Sequence, residues 1–139
     1  MDSVPIRRRV MLLDLAILVV AGHSLALGLC LLSFPQWTLR AVGWEYTGEV
    51  FWPSQAGLFL IILGAAYAVA VYWRPLVWLL IGSKLCAVVF LAAHAIWLDA
   101  PRLAGYLGLG DGLMGLVTLL LVISVRRTAG VPAGPGQTP

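Results

Sequence analysis

Four apolar runs dominate this chain, each long enough to cross about 30 Å of hydrocarbon as an α-helix rising about 1.5 Å per residue. They extend from about Met11 to Ser33, from Phe51 to Trp73, from Leu76 to Leu98 and from about Leu107 to Val125. The expected fold class is therefore all-α: an integral membrane four-helix bundle. Four spans and their short loops use up most of the 139 residues, so no extramembrane domain is expected and any chemistry must occur in or at the membrane. Composition agrees, since 61% of residues are hydrophobic and 11% charged, against about 25% charged in a soluble domain. A water-soluble globule is excluded, and so is a disordered chain, which would be rich in charge and poor in apolar residues.

The basic residues outside the spans set the expected orientation. Arg7, Arg8, Arg9, Arg74, Arg126 and Arg127 fall on one side, and only Arg40 and Arg102 on the other. The excess of bases marks the cytoplasmic side, which predicts both termini in the cytoplasm of a multi-pass protein of the bacterial inner membrane. Trp37, Trp44, Trp52 and Trp97 then lie at the outer interface and Trp73 and Trp78 at the inner one, as an aromatic belt requires. The formal charge of +3 is spread along the span ends and forms no patch for nucleic acid. The basic start and Ser24-Leu25-Ala26 resemble a signal peptide, but the first apolar run is too long for its hydrophobic region, so no cleavage is expected.

The connections are unequal. Arg74-Pro75 closes a tight antiparallel hairpin between spans two and three, while Phe34 to Val50 is the one sizeable external segment. With Pro35 as a first-turn residue and Gly43 as a terminator, Gln36 to Val42 is expected to form a short amphipathic helix. It serves as an interfacial connector or as a lid over a cavity. Residues 128–139, rich in Gly and Pro, are expected to be a disordered cytoplasmic tail after a transmembrane domain of residues 1–127. Small residues spaced four apart, among them Gly82 with Cys86 and Gly108 with Gly112, supply close-packing seams. Gly105 to Gly112 is dense enough in glycine to loosen the outer end of span four or to let another group approach its backbone.

Intramembrane ionisable residues are costly and so are candidates for function. Counted from the inner end of each span at about 1.5 Å per residue, Asp14 lies at about 5 Å, Lys84 at about 12 Å, His23 at about 18 Å, Asp111 at about 22 Å and His94 at about 27 Å. Lys84, the only lysine, can snorkel about 6 Å toward the cytoplasm, which predicts a structural Lys84–Asp14 pair. His94 and Asp111 form the second expected pair: a packed, hydrogen-bonded histidine is its commoner meaning, and they are also the catalytic candidates, because a carboxylate beside an imidazole gives a proton-exchanging group near neutral pH. His23, Gln55 and Trp97 are the ligand-binding candidates. His23 stands on the face of span one opposite Asp14, so one side of that span is expected to meet a helix outside the bundle. Lipid, quinone or pigment are the possible ligands. A haem held by His23 and His94 together would need both at one level, and the depth count separates them by about 9 Å. Cys30 and Cys86 lack metal or disulfide spacing, and no metal site is expected. The sequence contains no HExxH, GxSxG, Walker or CxxC motif.

Leu58 to Tyr67, the Arg74-Pro75 turn and Gly110-Asp111-Gly112 resemble small bacterial four-helix membrane proteins of the DoxX-like kind. The resemblance covers the architecture and carries no catalytic motif. It implies an accessory role, since members have been linked as small subunits to quinone-reducing enzymes. The leading expectation is a non-catalytic subunit of a larger membrane complex, or a homo-oligomer, surrounded by lipid. The alternatives are an intramembrane enzyme or binding protein for a lipid, isoprenoid or quinone, and an oligomeric transporter or channel.

Overall fold

The computed structural model describes residues 3–45, 48–98 and 101–129. These residues form five α-helices and no strand: α1 (Ser3–Ser33), α2 (Pro35–Ala41), α3 (Phe51–Val69), α4 (Leu76–Trp97) and α5 (Arg102–Ala129). Within them, Ile6–Ser33, Phe51–Val69, Leu76–Trp97 and Leu103–Thr128 are long and apolar enough to cross a membrane. Arg9 Nη1 donates to Ser124 Oγ at 2.9 Å and to Thr128 Oγ1 at 2.6 Å. The start of α1 and the end of α5 therefore meet at one end of the bundle, called here the basic end, with the α3–α4 turn; α2 lies at the opposite, loop end.

The expected element order holds, and the boundaries move for local reasons. Phe34 precedes Pro35, which disfavours helical geometry at Phe34 and breaks α1 from α2 there; its φ is −136°. Helix α2 ends in a Schellman motif, in which Trp44 N donates to Leu39 O and Gly43 N to Arg40 O, each at 2.9 Å. Gly43 takes the left-handed conformation this requires, with φ +80°. Helix α3 stops at Val69, short of the expected Trp73, and residues 70–75 form successive turns into α4. Helix α5 begins at Arg102, ahead of the expected Leu107, so the glycine-dense stretch is helical. Of the expected tail, Thr128 and Ala129 belong to α5, and the remainder lies outside the described residues.

Packing explains why α5 tolerates its glycines. A Cβ added at Gly108, Gly112 or Gly115 would stand 3.1 Å from Leu91 Cβ, 3.2 Å from Val88 Cγ2 and 3.2 Å from Lys84 Cβ. The glycines form the seam on which α4 lies, and close dispersion contact offsets their low helix propensity. A second seam joins α1 to α3, with backbone against backbone: a Cβ on Gly57 would be 2.7 Å from Gly28 O, and one on Gly28 2.7 Å from Gly57 O. Helices α1 and α5 also pack together, whereas α3 and α4 touch little despite being joined by a short turn. The shared core of Leu13, Ile17, Val20, Tyr67, Val77, Leu80, Ile81 and Val122 lies in the basic-end half. Toward the loop end the bundle continues as two glycine-sealed pairs.

Candidate functional site

Lys84 is 5% exposed, and its Nζ lies 2.5 Å from Asp111 Oδ1. The two side chains are 6% and 16% exposed, so the ion pair is held inside the bundle. The register of the α4–α5 seam produces it. Gly115 faces the Lys84 Cβ, and Asp111 lies one turn, about 6 Å, further toward the loop end, within reach of the lysine stem. Ser83, the preceding residue of α4, faces α3, where the Tyr67 hydroxyl hydrogen-bonds its Oγ. Ser83 gives its own hydrogen to Leu80 O at 2.9 Å, so Tyr67 is the donor. These four residues tie α3, α4 and α5 together at mid-depth. Tyr67 is bound to Ser83 and Lys84 to Asp111, an arrangement that suits a clamp.

The expected Lys84–Asp14 pair is corrected by this geometry: the lysine extends toward the loop end, away from Asp14. Asp14 is held by Arg74 of the α3–α4 turn, with Nη2 to Oδ1 at 2.6 Å and side chains 42% and 29% exposed. The contact is an ion pair off the hydrogen-bonding axis. The expected His94–Asp111 pair is also not formed. The seam sets Asp111 near Val88, six residues and about 9 Å below His94 along α4. His94 Nδ1 donates instead to Phe90 O at 2.8 Å, and its ring lies 4.0 Å from the Phe90 ring, centroid to centroid. The Nδ1–H of this histidine is satisfied within its own helix.

The three ligand-binding candidates are on different elements and no hydrogen bond joins them. Gln55 is half-buried in the first turns of α3, Trp97 is exposed at the end of α4, and His23 is exposed in the middle of α1. Among the described residues His23 has no hydrogen-bond or ion-pair partner. Cys30 and Cys86 are free. No three His, Cys, Asp or Glu side chains among the described residues group closely enough to hold a metal ion. Helix α2 packs against the end of α1, beside a shallow cavity of about 410 Å³ lined by Phe34, Pro35, Gln36, Trp37 and Val50.

Sequence reasoning missed the Tyr67–Ser83 bond and the Arg74–Asp14 pair. A tyrosine hydroxyl within a span needs a partner, which was a usable signal for the first. The second was available from depth, because Asp14 and the Arg74 turn both lie near the same end of the spans. Among the described residues Ser24 Oγ is buried without a hydrogen bond. No family model matches the chain, and no curated protein or solved structure matches it either.

Proposed function

We propose that this chain is a small, non-catalytic integral membrane protein that serves as an accessory or stabilising subunit of a larger membrane complex. The observation carrying this reading is His23. It lies about 15 Å from the loop end of α1, near the centre of a bilayer about 30 Å thick, and its side chain is on the outer surface of the bundle. Ionisable residues at that depth almost always face protein or a water-filled cavity. A helix from another subunit covering this face would supply the imidazole with a partner. The neighbouring surface suits such a helix, because Gly22, with room for an added Cβ, and Ala26 permit close approach. The DoxX-like resemblance points the same way.

The complex would sit in the bacterial inner membrane with the basic end in the cytoplasm, following the excess of arginines there. Extraction of the full chain in mild detergent followed by mass analysis tests the reading. A heteromeric complex is expected, and His23→Leu should release the partner while the released chain keeps its helicity. A monodisperse single chain, or a complex containing only copies of this chain, would overturn the proposal.

A further inference from the structure

At the basic end, a cavity of about 240 Å³ opens between α1, α4 and α5. Its floor is apolar and belongs to the core, with Leu13, Val77 and Val122 all buried. Its rim carries two guanidiniums, Arg74 and Arg126, and the ring of Trp78. Asp14 holds and neutralises Arg74 at 2.6 Å. Arg126 has no carboxylate partner among the described residues; its guanidinium carbon stands 5.1 Å from the centre of the Trp78 ring. Stacking on an indole holds the guanidinium plane while leaving N–H edges able to donate to an oxyanion. An apolar floor beneath one uncompensated cation is the recognition pattern for an anionic amphiphile.

We infer that this cavity binds an anionic glycerophospholipid, taking a segment of one acyl chain against Leu13, Val77 and Val122 while Arg126 holds the phosphate. The volume supports a chain segment, being below the roughly 300–1,000 Å³ of pockets that enclose a whole small ligand. The rest of the lipid stays in the bilayer, whose headgroup region this end of the bundle meets. A free inorganic anion would gain nothing from the apolar floor. A zwitterionic headgroup would bring an ammonium toward the same arginine. Guanidinium and phosphate match as a fork of paired donors and acceptors. This site is independent of the His23 face, which lies on another surface and nearer the loop end.

The test uses the full chain in detergent, with phosphatidylglycerol or phosphatidylcholine added and retained lipid measured by native mass spectrometry. Wild type should retain phosphatidylglycerol at least five-fold over phosphatidylcholine. Arg126→Gln should bring that ratio near one, whereas Arg127→Gln, the same charge change on a residue outside the cavity, should leave it unchanged. Val122→Phe, which fills the floor, should also abolish the preference; should it not fold, the Arg126 and Arg127 comparison decides alone. Equal loss in the two arginine variants would overturn the site in favour of diffuse surface charge. Equal retention of the two lipids, or displacement of phosphatidylglycerol by millimolar inorganic phosphate, would also overturn it.

Discussion

Removing one member of the Lys84–Asp111 pair should be the most damaging single change in the bundle. Lys84→Met is close in length and removes the charge, leaving the Asp111 carboxylate among apolar helices. Stripping one partner from a buried ion pair costs about 3–5 kcal/mol, because the remaining charge is left uncompensated. The side chains are 6% and 16% exposed, so Asp111 retains some access to polar surroundings and the lower half of that range, about 3–4 kcal/mol, is expected. Asp111→Leu should cost a similar amount by stranding the ammonium. The double variant Lys84→Met with Asp111→Leu replaces the pair by apolar groups and should be within about 1 kcal/mol of wild type, since such replacements are often neutral. The coupling energy would then be several kcal/mol, above the usual range of about 0.5–3 kcal/mol for residues in contact. Reversible denaturation of the four proteins in one detergent measures it. Additive losses would refute the assigned pairing. A second cycle pairing Lys84→Met with Asp14→Leu supplies the contrast: those two changes should be additive, because Asp14 is bound by Arg74.

The Arg74–Asp14 pair, being substantially exposed, should contribute only about 0.2–1 kcal/mol, and its double-mutant coupling should shrink between low and high salt. Gly57→Ala would place a Cβ 2.7 Å from backbone atoms of Gly28 and Leu32, and it should destabilise by about 1–3 kcal/mol through overpacking. Gly82→Ala meets nothing within 4 Å and should be neutral or stabilising by up to about 1 kcal/mol in the same denaturation assay. Tyr67→Phe removes the donor to Ser83 and should cost about 1 kcal/mol without altering helicity by circular dichroism.

The spans were legible in the sequence because hydrocarbon imposes both length and polarity on a crossing helix. The turn at Arg74-Pro75 and the α2 terminator Gly43 were legible because proline and glycine restrict backbone geometry locally. Side-chain pairing was much less so. Depth counting ranks residues along the membrane normal, but its zero depends on where each helix begins. The start of α5 at Arg102 and the contact of Gly115 with Lys84 fix a register that no single span could reveal. The count put Lys84 and Asp111 about 10 Å apart, and one turn of seam register with the lysine stem closes that gap. The count also brings His94 within about 5 Å of the depth of Asp111 and so pairs them; the seam instead leaves His94 beside the carbonyl of Phe90, one turn below on its own helix.

Helix α1 shows how the two kinds of polar residue should be read apart. One side of it lies on α3 through Ala21 and Gly28, and another packs into the core through Leu13, Ile17 and Val20. Its third side, with Leu15, Val19, Gly22, His23, Ala26 and Leu29, is exposed. In lipid, leucine and valine on such a face need no explanation, because acyl chains solvate them as well as a neighbouring helix does. A histidine does need one. Lys84 and Asp111 meet the cost of intramembrane charge by meeting each other, and Tyr67 and Ser83 satisfy their hydroxyls in the same way. His94 finds a carbonyl within its own helix. Among the described residues His23 does none of these, and that asymmetry is what supports the proposal of a subunit whose bundle is completed by a partner.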